Sequence, residues 1–217
     1  MKGLLIKDIK LMKNMRNSMA MILVIAVGMG AYIKDTSFII TYLSLIGATF
    51  TSSTLSYDEF DNGYAFLFSL PVSRKGYVAE KYILGLLLSG GGWLIGSVIT
   101  VISGLARNTM PLPEIFMTSV VLVSVPVFLL SVLLPFHFKF GGEKGRIVMI
   151  ASMGVFFVIV VLGVKLMNML HLDPDAVIDN MPVMGMGATA AVSIAAAALI
   201  LLLSFRISMG ILQKKEY

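Results

Sequence analysis

The stretch "SYDEFDNGYAFLFSLPVSRKGYVAEKY", Ser56 to Tyr82, is the longest charged interval of a 217-residue chain in which 58% of residues are hydrophobic and 13% are charged. Soluble domains carry roughly 25% charged residues. Together with a mean hydropathy of +0.92, this composition defines an integral membrane protein. The quoted stretch separates two segments that are each apolar enough to cross a bilayer.

Spans of about 20 mostly apolar residues are needed to cross. Six candidates satisfy this: Ser18 to Ile33, Thr36 to Ser56, Ile83 to Leu105, Ile115 to Phe138, Ile147 to Leu170 and Val183 to Phe205. The short Lys34-Asp35 link makes a hairpin of the first two. Of the Lys and Arg residues, fourteen fall in the segments of one side; Lys34 and Arg107 lie on the other, and Lys165 lies within a span. The excess of cations on cytoplasmic loops then places both termini in the cytoplasm and the quoted stretch in a cytoplasmic loop. The first apolar run follows a basic segment and carries no small-residue cleavage site, so the N-terminus is read as retained. The expected fold is an all-α integral membrane protein forming one transmembrane domain over 1–217. It has an interfacial helix at 1–17, spans 1–2 at 18–56, a cytoplasmic loop at 57–82, spans 3–6 at 83–205 and a cytoplasmic tail at 206–217.

Plotted at 100° per residue, "MKGLLIKDIKLMKNMRN" collects Met1, Leu4, Leu5, Ile9, Leu11, Met12 and Met15 in one half of the wheel and Lys2, Lys7, Lys10, Lys13, Asn14 and Asn17 in the other. Such a helix lies in the interface with its cations toward lipid headgroups. Asp8 falls among the apolar residues. Either it pairs with a cation of a neighbouring cytoplasmic segment or it is solvated beside the headgroups.

The opening stretch divides at Pro71, which pushes the residue before it out of the helical region. Asp58, Glu59 and Asp61 suit the positive end of a helix that carries Phe60, Tyr64, Leu67 and Phe68 at helical spacing. Ser73 is placed to cap the next helix, which runs through "RKGYVAEKY" into the third span. A short acidic helix with aromatic residues, tied at both ends to spans, fits a protein partner better than anionic lipid, which would repel it.

These features resemble the permease subunits of ABC-2 type transporters. The features that match are "LLIKDIKLMKN" as a lateral helix, six spans with cytoplasmic ends, and "DEFDNGYAFLFSLPVSRKGYVAEKY" between spans two and three. The small size is most similar to the permeases of phenol-soluble-modulin exporters of Gram-positive bacteria. The resemblance implies a half-transporter in the bacterial cytoplasmic membrane. It pairs with a second permease chain, identical or a sibling, and engages a cytoplasmic ATPase subunit that binds ATP and Mg. The loop helix would be the ATPase-coupling element, through Asp58, Glu59, Phe60, Tyr64, Phe68 and Arg74. Gly63 would lie inside that helix and weaken it by about 1 kcal/mol relative to Ala. The implied cargo is an amphipathic or antimicrobial-type peptide; lipid or a small hydrophobic drug, or a non-transporting scaffold or immunity role, are the alternatives.

No catalytic constellation competes with this. The chain has no cysteine, which excludes disulfides and thiolate chemistry. Neither "GGEKGR" at Gly141 nor "SGGGWLIG" at Ser89 fits the phosphate-binding G-x-x-x-x-G-K-[ST] pattern, so no cofactor is expected in this chain. His137 and His171 fall near opposite membrane faces, and no metal site is expected. The cations flank apolar runs rather than forming a stripe, which argues against nucleic acid. Trp93 and Lys165 are candidates for a substrate path; lipid-facing filler and snorkelling are the plain alternatives. Gly90, Gly91, Gly92 and Pro126 are candidate helix bends, and Gly92, Gly96, Gly187, Ala191 and Ala195 are small enough for close helix packing. Asp173, Asp175 and Asp179 form either a cation-attracting vestibule or a solvated loop.

Overall fold

The computed structural model describes residues 2–33, 37–60, 63–107, 111–142 and 185–215, with scattered positions between 144 and 169. Every regular element among them is helical, as lipid demands of a chain whose backbone groups find no water. The order is α1 (Lys2–Asn14), α2 (Arg16–Tyr32), α3 (Ser37–Glu59), α4 (Gly63–Ser69), α5 (Arg74–Arg107), α6 (Leu112–Leu122), α7 (Ser124–Phe140) and α8 (Met186–Lys214).

Four stretches are long and apolar enough to cross a membrane: α3, α5, α6 with α7, and α8. A fifth arises if α1 and α2, which meet at 67°, count as one broken span. That bend separates the expected lateral helix from the expected first span. Most of the expected fifth span, Asp61, His171 and the aspartates of the last loop lie outside the described residues. At 34 residues, α5 is about 51 Å long against a hydrocarbon core of about 30 Å. Its apolar stretch begins at Ile83, and residues 74–82 project beyond it at the charged end of the bundle.

The α3–α5 pair is the spine, and glycine sets its spacing. A Cβ on Gly47 would fall on the Leu88 carbonyl oxygen and one on Gly92 on that of Leu43, while a Cβ on Gly96 would lie 2.7 Å from Ile40 Cα. Backbones this close leave no room for a side chain. Gly90 and Gly91, by contrast, face open space, and α5 runs helical through all three. On α8, Gly187, Ala191 and Ala195 are exposed, whereas Ala190 and Ala197 are buried.

Between α6 and α7 only Val123 interrupts the helix, and it keeps helical dihedrals (φ −60°, ψ −29°), so the two count as one span. Pro126, three residues on, has no N–H for the Leu122 carbonyl. Pro135 lies inside α7. Its missing N–H leaves the Ser131 carbonyl without a helical donor, and Ser204 Oγ of α8 supplies one at 2.6 Å. Tyr82 Oη of α5 lies 2.6 Å from Ser204 Oγ and 2.8 Å from Ser208 Oγ. Because the single Ser204 proton goes to the carbonyl, Tyr82 donates to Ser204 and Ser208 donates to Tyr82. Ser204→Ala is expected to destabilise the chain by about 1–2 kcal/mol, since a buried carbonyl loses its donor; Ser193→Ala, on the same helix, serves as the control in a thermal-unfolding comparison.

Candidate functional site

At the charged end, helical spacing stacks Thr54 and Asp58 on one face of α3, and Tyr77 and Lys81 on one face of α5. Lys7 and Asp8 reach the same point from α1. Lys81 is fully buried and bonds Asp8 Oδ2, Asp58 Oδ2 at 2.7 Å and Thr54 Oγ1 at 3.2 Å. Lys7 bonds the other Asp58 oxygen, and Tyr77 donates its hydroxyl proton to Asp58 Oδ2 at 2.9 Å. Burial pulls the Lys7 ammonium down, but the Asp58 hydrogen bond and the charges of Asp58 and Asp8 outweigh it and hold the group above its ordinary value. Of the two roles open to Asp8, the structure selects pairing: its carboxylate is buried against a cation of another segment.

The Tyr77 ring carries the apolar half of the site. It lies edge-on to Tyr64 at 5.9 Å, Phe68 at 5.8 Å and Phe138 at 6.1 Å, with Lys81 Nζ 5.3 Å above it. This joins α4, α5 and α7 into one core.

The expected helix over the acidic residues is corrected. Asp58 and Glu59 close α3 instead of opening α4, at the end of a helix that repels anions. Lys7 and Lys81 offset that for Asp58. For Glu59, the Gly142 N–H donates to Oε2 at 2.6 Å, and Gly141 takes φ +80° in the turn that brings it there. His137 lies between, with Nδ1 3.0 Å from Ser52 Oγ and Nε2 3.9 Å from Glu59 Oε2. The role of "FGG" at residues 140–142 as a cradle for Glu59 was not foreseen. Gly63 is likewise not inside a helix: it begins α4, and a Cβ there would lie 2.5 Å from the Asp58 carbonyl oxygen.

The short helix α4 therefore turns one face in and one out. Tyr64 and Leu67 are buried, while Phe66 is 71% exposed and Phe60, just ahead of it, is 72% exposed. A cavity of about 540 Å³ opens between α4 and α1, lined by Leu4, Lys7, Tyr57, Phe66, Leu67 and Val72. Ser73 caps α5 as expected, its Oγ accepting from Gly76 N at 3.1 Å. Arg74 donates to the Gln213 carbonyl at 2.8 Å, capping α8, and lies 5.8 Å from the Phe68 ring centre.

The remaining candidates are dispersed. Trp93 donates to the Ser119 carbonyl at 2.7 Å and lines a cleft of about 340 Å³ with Ser97, Val101, Leu112 and Phe116. Lys165 is exposed on a helical position. At the end of α5 opposite the ion cluster, Arg107 donates to the carbonyls of Gly30 and Ile33, each at 2.8 Å. Among the described residues no three His, Asp or Glu side chains converge as a metal site.

The arrangement defines an α-helical membrane protein with an N-terminal helix bent away from the next and a short helix strapped between two long ones. The profile of the ABC-2 family transporter protein matches residues 3–214, and the chain belongs to that family as a membrane permease component. Among curated proteins and among solved structures, nothing matches this chain.

Proposed function

We propose that the chain is the membrane half of an ATP-driven exporter, paired with a second permease chain, with both termini in the cytoplasm of a bacterial cell. A separate cytoplasmic ATPase, which binds ATP and Mg, supplies the energy, and the cargo is an amphipathic, antimicrobial-type peptide moved outward. Family membership supports an ATPase partner in general. The observation that carries the coupling is α4, whose Phe66, with the neighbouring Phe60, presents two exposed rings while its inner face packs on Tyr77. Aromatic side chains on a rigid base are what a partner's pocket captures best. Of the residues first proposed for coupling, Phe60 supplies the contact. Asp58, Tyr64, Phe68 and Arg74 hold α4 to the bundle, so a push on the rings reaches α3 and α5. For the cargo, the apolar cleft at Trp93, carrying Ser97, suits an amphiphile.

The test is purification from the native membrane with mass spectrometry of stoichiometric partners, comparing wild type with Phe60→Ala, Phe66→Ala. An ATPase with a phosphate-binding loop is expected to accompany the wild type. Its recovery should fall about tenfold or more in the variant, since two aromatic contacts of more than about 1 kcal/mol each are lost. The variant's own unfolding temperature should not change, and its cells should lose resistance to an added amphipathic cationic peptide. If no ATPase accompanies the wild type under any nucleotide condition, the exporter loses its energy source and a non-transporting scaffold replaces it.

A further inference from the structure

Beside the ion cluster sits a carboxyl group that its pairing leaves over. Glu80 is 2% exposed, and neither of its oxygens has a hydrogen bond among the described residues. Its nearest cation is Lys81 Nζ at 3.9 Å. The buried Asp8 Oδ1 also lacks a hydrogen bond, although the Lys7 ammonium is 3.1 Å away. Lys7 and Lys81 are already balanced by Asp8 and Asp58, so a Glu80 carboxylate would be an unmatched buried charge. Such a charge is costly, and the group takes up a proton instead. As an acid, Glu80 has one O–H to donate, and Asp8, which shares Lys81 as its cationic neighbour, carries on Oδ1 a buried acceptor without a hydrogen bond.

We infer that Glu80 and Asp8 form a proton-binding site, in which one proton taken from solvent resides on the Glu80 carboxyl and is donated to Asp8 Oδ1, fastening α1 to the foot of α5. A single proton removes the charge excess and satisfies an oxygen on each residue. The other charged groups acting on Glu80 are Lys7 of α1 and Lys81 of α5; Asp58 of α3 and Tyr77 of α5 lie against Lys81. On α7, His137 turns to Ser52 and Glu59 and Lys139 is exposed; on α8, Arg206 and Lys214 are exposed. Neither helix supplies a charge that competes for the site. The site stands independently of any transport function.

Glu80 lies beyond the apolar stretch of α5. Burial raises its pKa most, Lys81 opposes, and Asp8 adds to the rise, giving about 7. That value is above the ordinary 4.5, so the folded chain holds a proton that the unfolded chain has released. The associated stability is complete below the ordinary value and is lost as pH rises through about 7.

The experiment uses the full chain in mild detergent, followed by infrared difference spectroscopy and thermal unfolding between about pH 6 and about pH 8.5. The wild type should show a protonated-carboxyl band at the lower pH that disappears at the higher, with the unfolding temperature falling by several degrees over the same interval. Glu80→Gln, whose amide mimics the donating acid, should lack the band and unfold at a pH-independent temperature. Asp8→Asn removes one negative charge, leaves Glu80 ionised and should lose the band at the lower pH. No band in the wild type at about pH 6, or one that persists in Glu80→Gln, overturns the site. If both variants fail to fold, the wild-type band alone decides.

Discussion

Replacing Lys81 by methionine is expected to lower the unfolding temperature of the detergent-solubilised chain by about 10 °C, or to prevent recovery of monodisperse protein. Lys81 touches the carboxylates of both Asp8 and Asp58 from a fully buried position. Removing one partner of a buried ion cluster leaves the others charged and dry, which costs about 3–5 kcal/mol. In chains of this size each kcal/mol moves the midpoint by about 2–4 °C. Adding Asp8→Asn to Lys81→Met restores the balance of Lys7 against Asp58, and more than half of the loss should return. The exposed Lys10 and Lys13 provide the control, as their replacement by methionine should change stability by no more than about 0.5 kcal/mol. The measurement is size-exclusion recovery after heating. If Lys81→Met unfolds with the controls, the cluster does not hold α1, α3 and α5 together.

The second large effect concerns two adjacent glycines. Gly92→Ala puts a methyl group onto the Leu43 carbonyl oxygen of α3, whereas Gly91→Ala puts one into open space. Backbone cannot swing aside as a side chain can, so Gly92→Ala forces α3 and α5 apart at an overpacking cost of about 1–3 kcal/mol. Gly91→Ala should be neutral or gain up to about 1 kcal/mol, because alanine loses less backbone freedom in a helix. Opposite signs at neighbouring positions exclude a general intolerance of this turn. Gly47→Ala should reproduce the Gly92→Ala effect. The double variant should cost less than the two single losses added, because once the backbones have separated the second methyl group meets less. Equal unfolding temperatures for the Gly91 and Gly92 variants would refute a glycine-set spacing.

The sequence made the membrane-spanning character, a separate N-terminal helix and the Pro71–Ser73 punctuation legible, because each rests on composition or local spacing. Asp8 stood out for a similar reason, as an anion on an apolar face; only its partner needed the fold. The placement of Asp58 and Glu59 failed because the helical pattern of α3 continues through them. The dipeptide Asn62-Gly63 is a better break signal than the acidic residues are a start signal. Glu59 with Gly142, and Ser131 with Ser204, join positions 83 and 73 residues apart. Pro135 announces a carbonyl in need of a donor, yet nothing local says which hydroxyl will come. Glu80 falls within the helix expected through "RKGYVAEKY", and burial of one charge less than a turn ahead of a span leaves no periodic trace.

Arg107 gives the bundle a mechanical asymmetry. It clasps the last carbonyls of α2 at the end of α5 farthest from the ion cluster, and glycine contacts lock α3 to α5 in between. Helices α2 and α5 are thus joined at one end, α1, α3 and α5 at the other, and α3 and α5 are locked in between. The seam of these helices with α7 and α8 is made differently, by the apolar core around Tyr77, Leu130, Leu134 and Phe138 and by the hydroxyls of Tyr82, Ser204 and Ser208. Hydroxyls trade partners with little loss, so a small shift of α8 against α5 costs less at this seam than any shift of α3 along the glycines of α5.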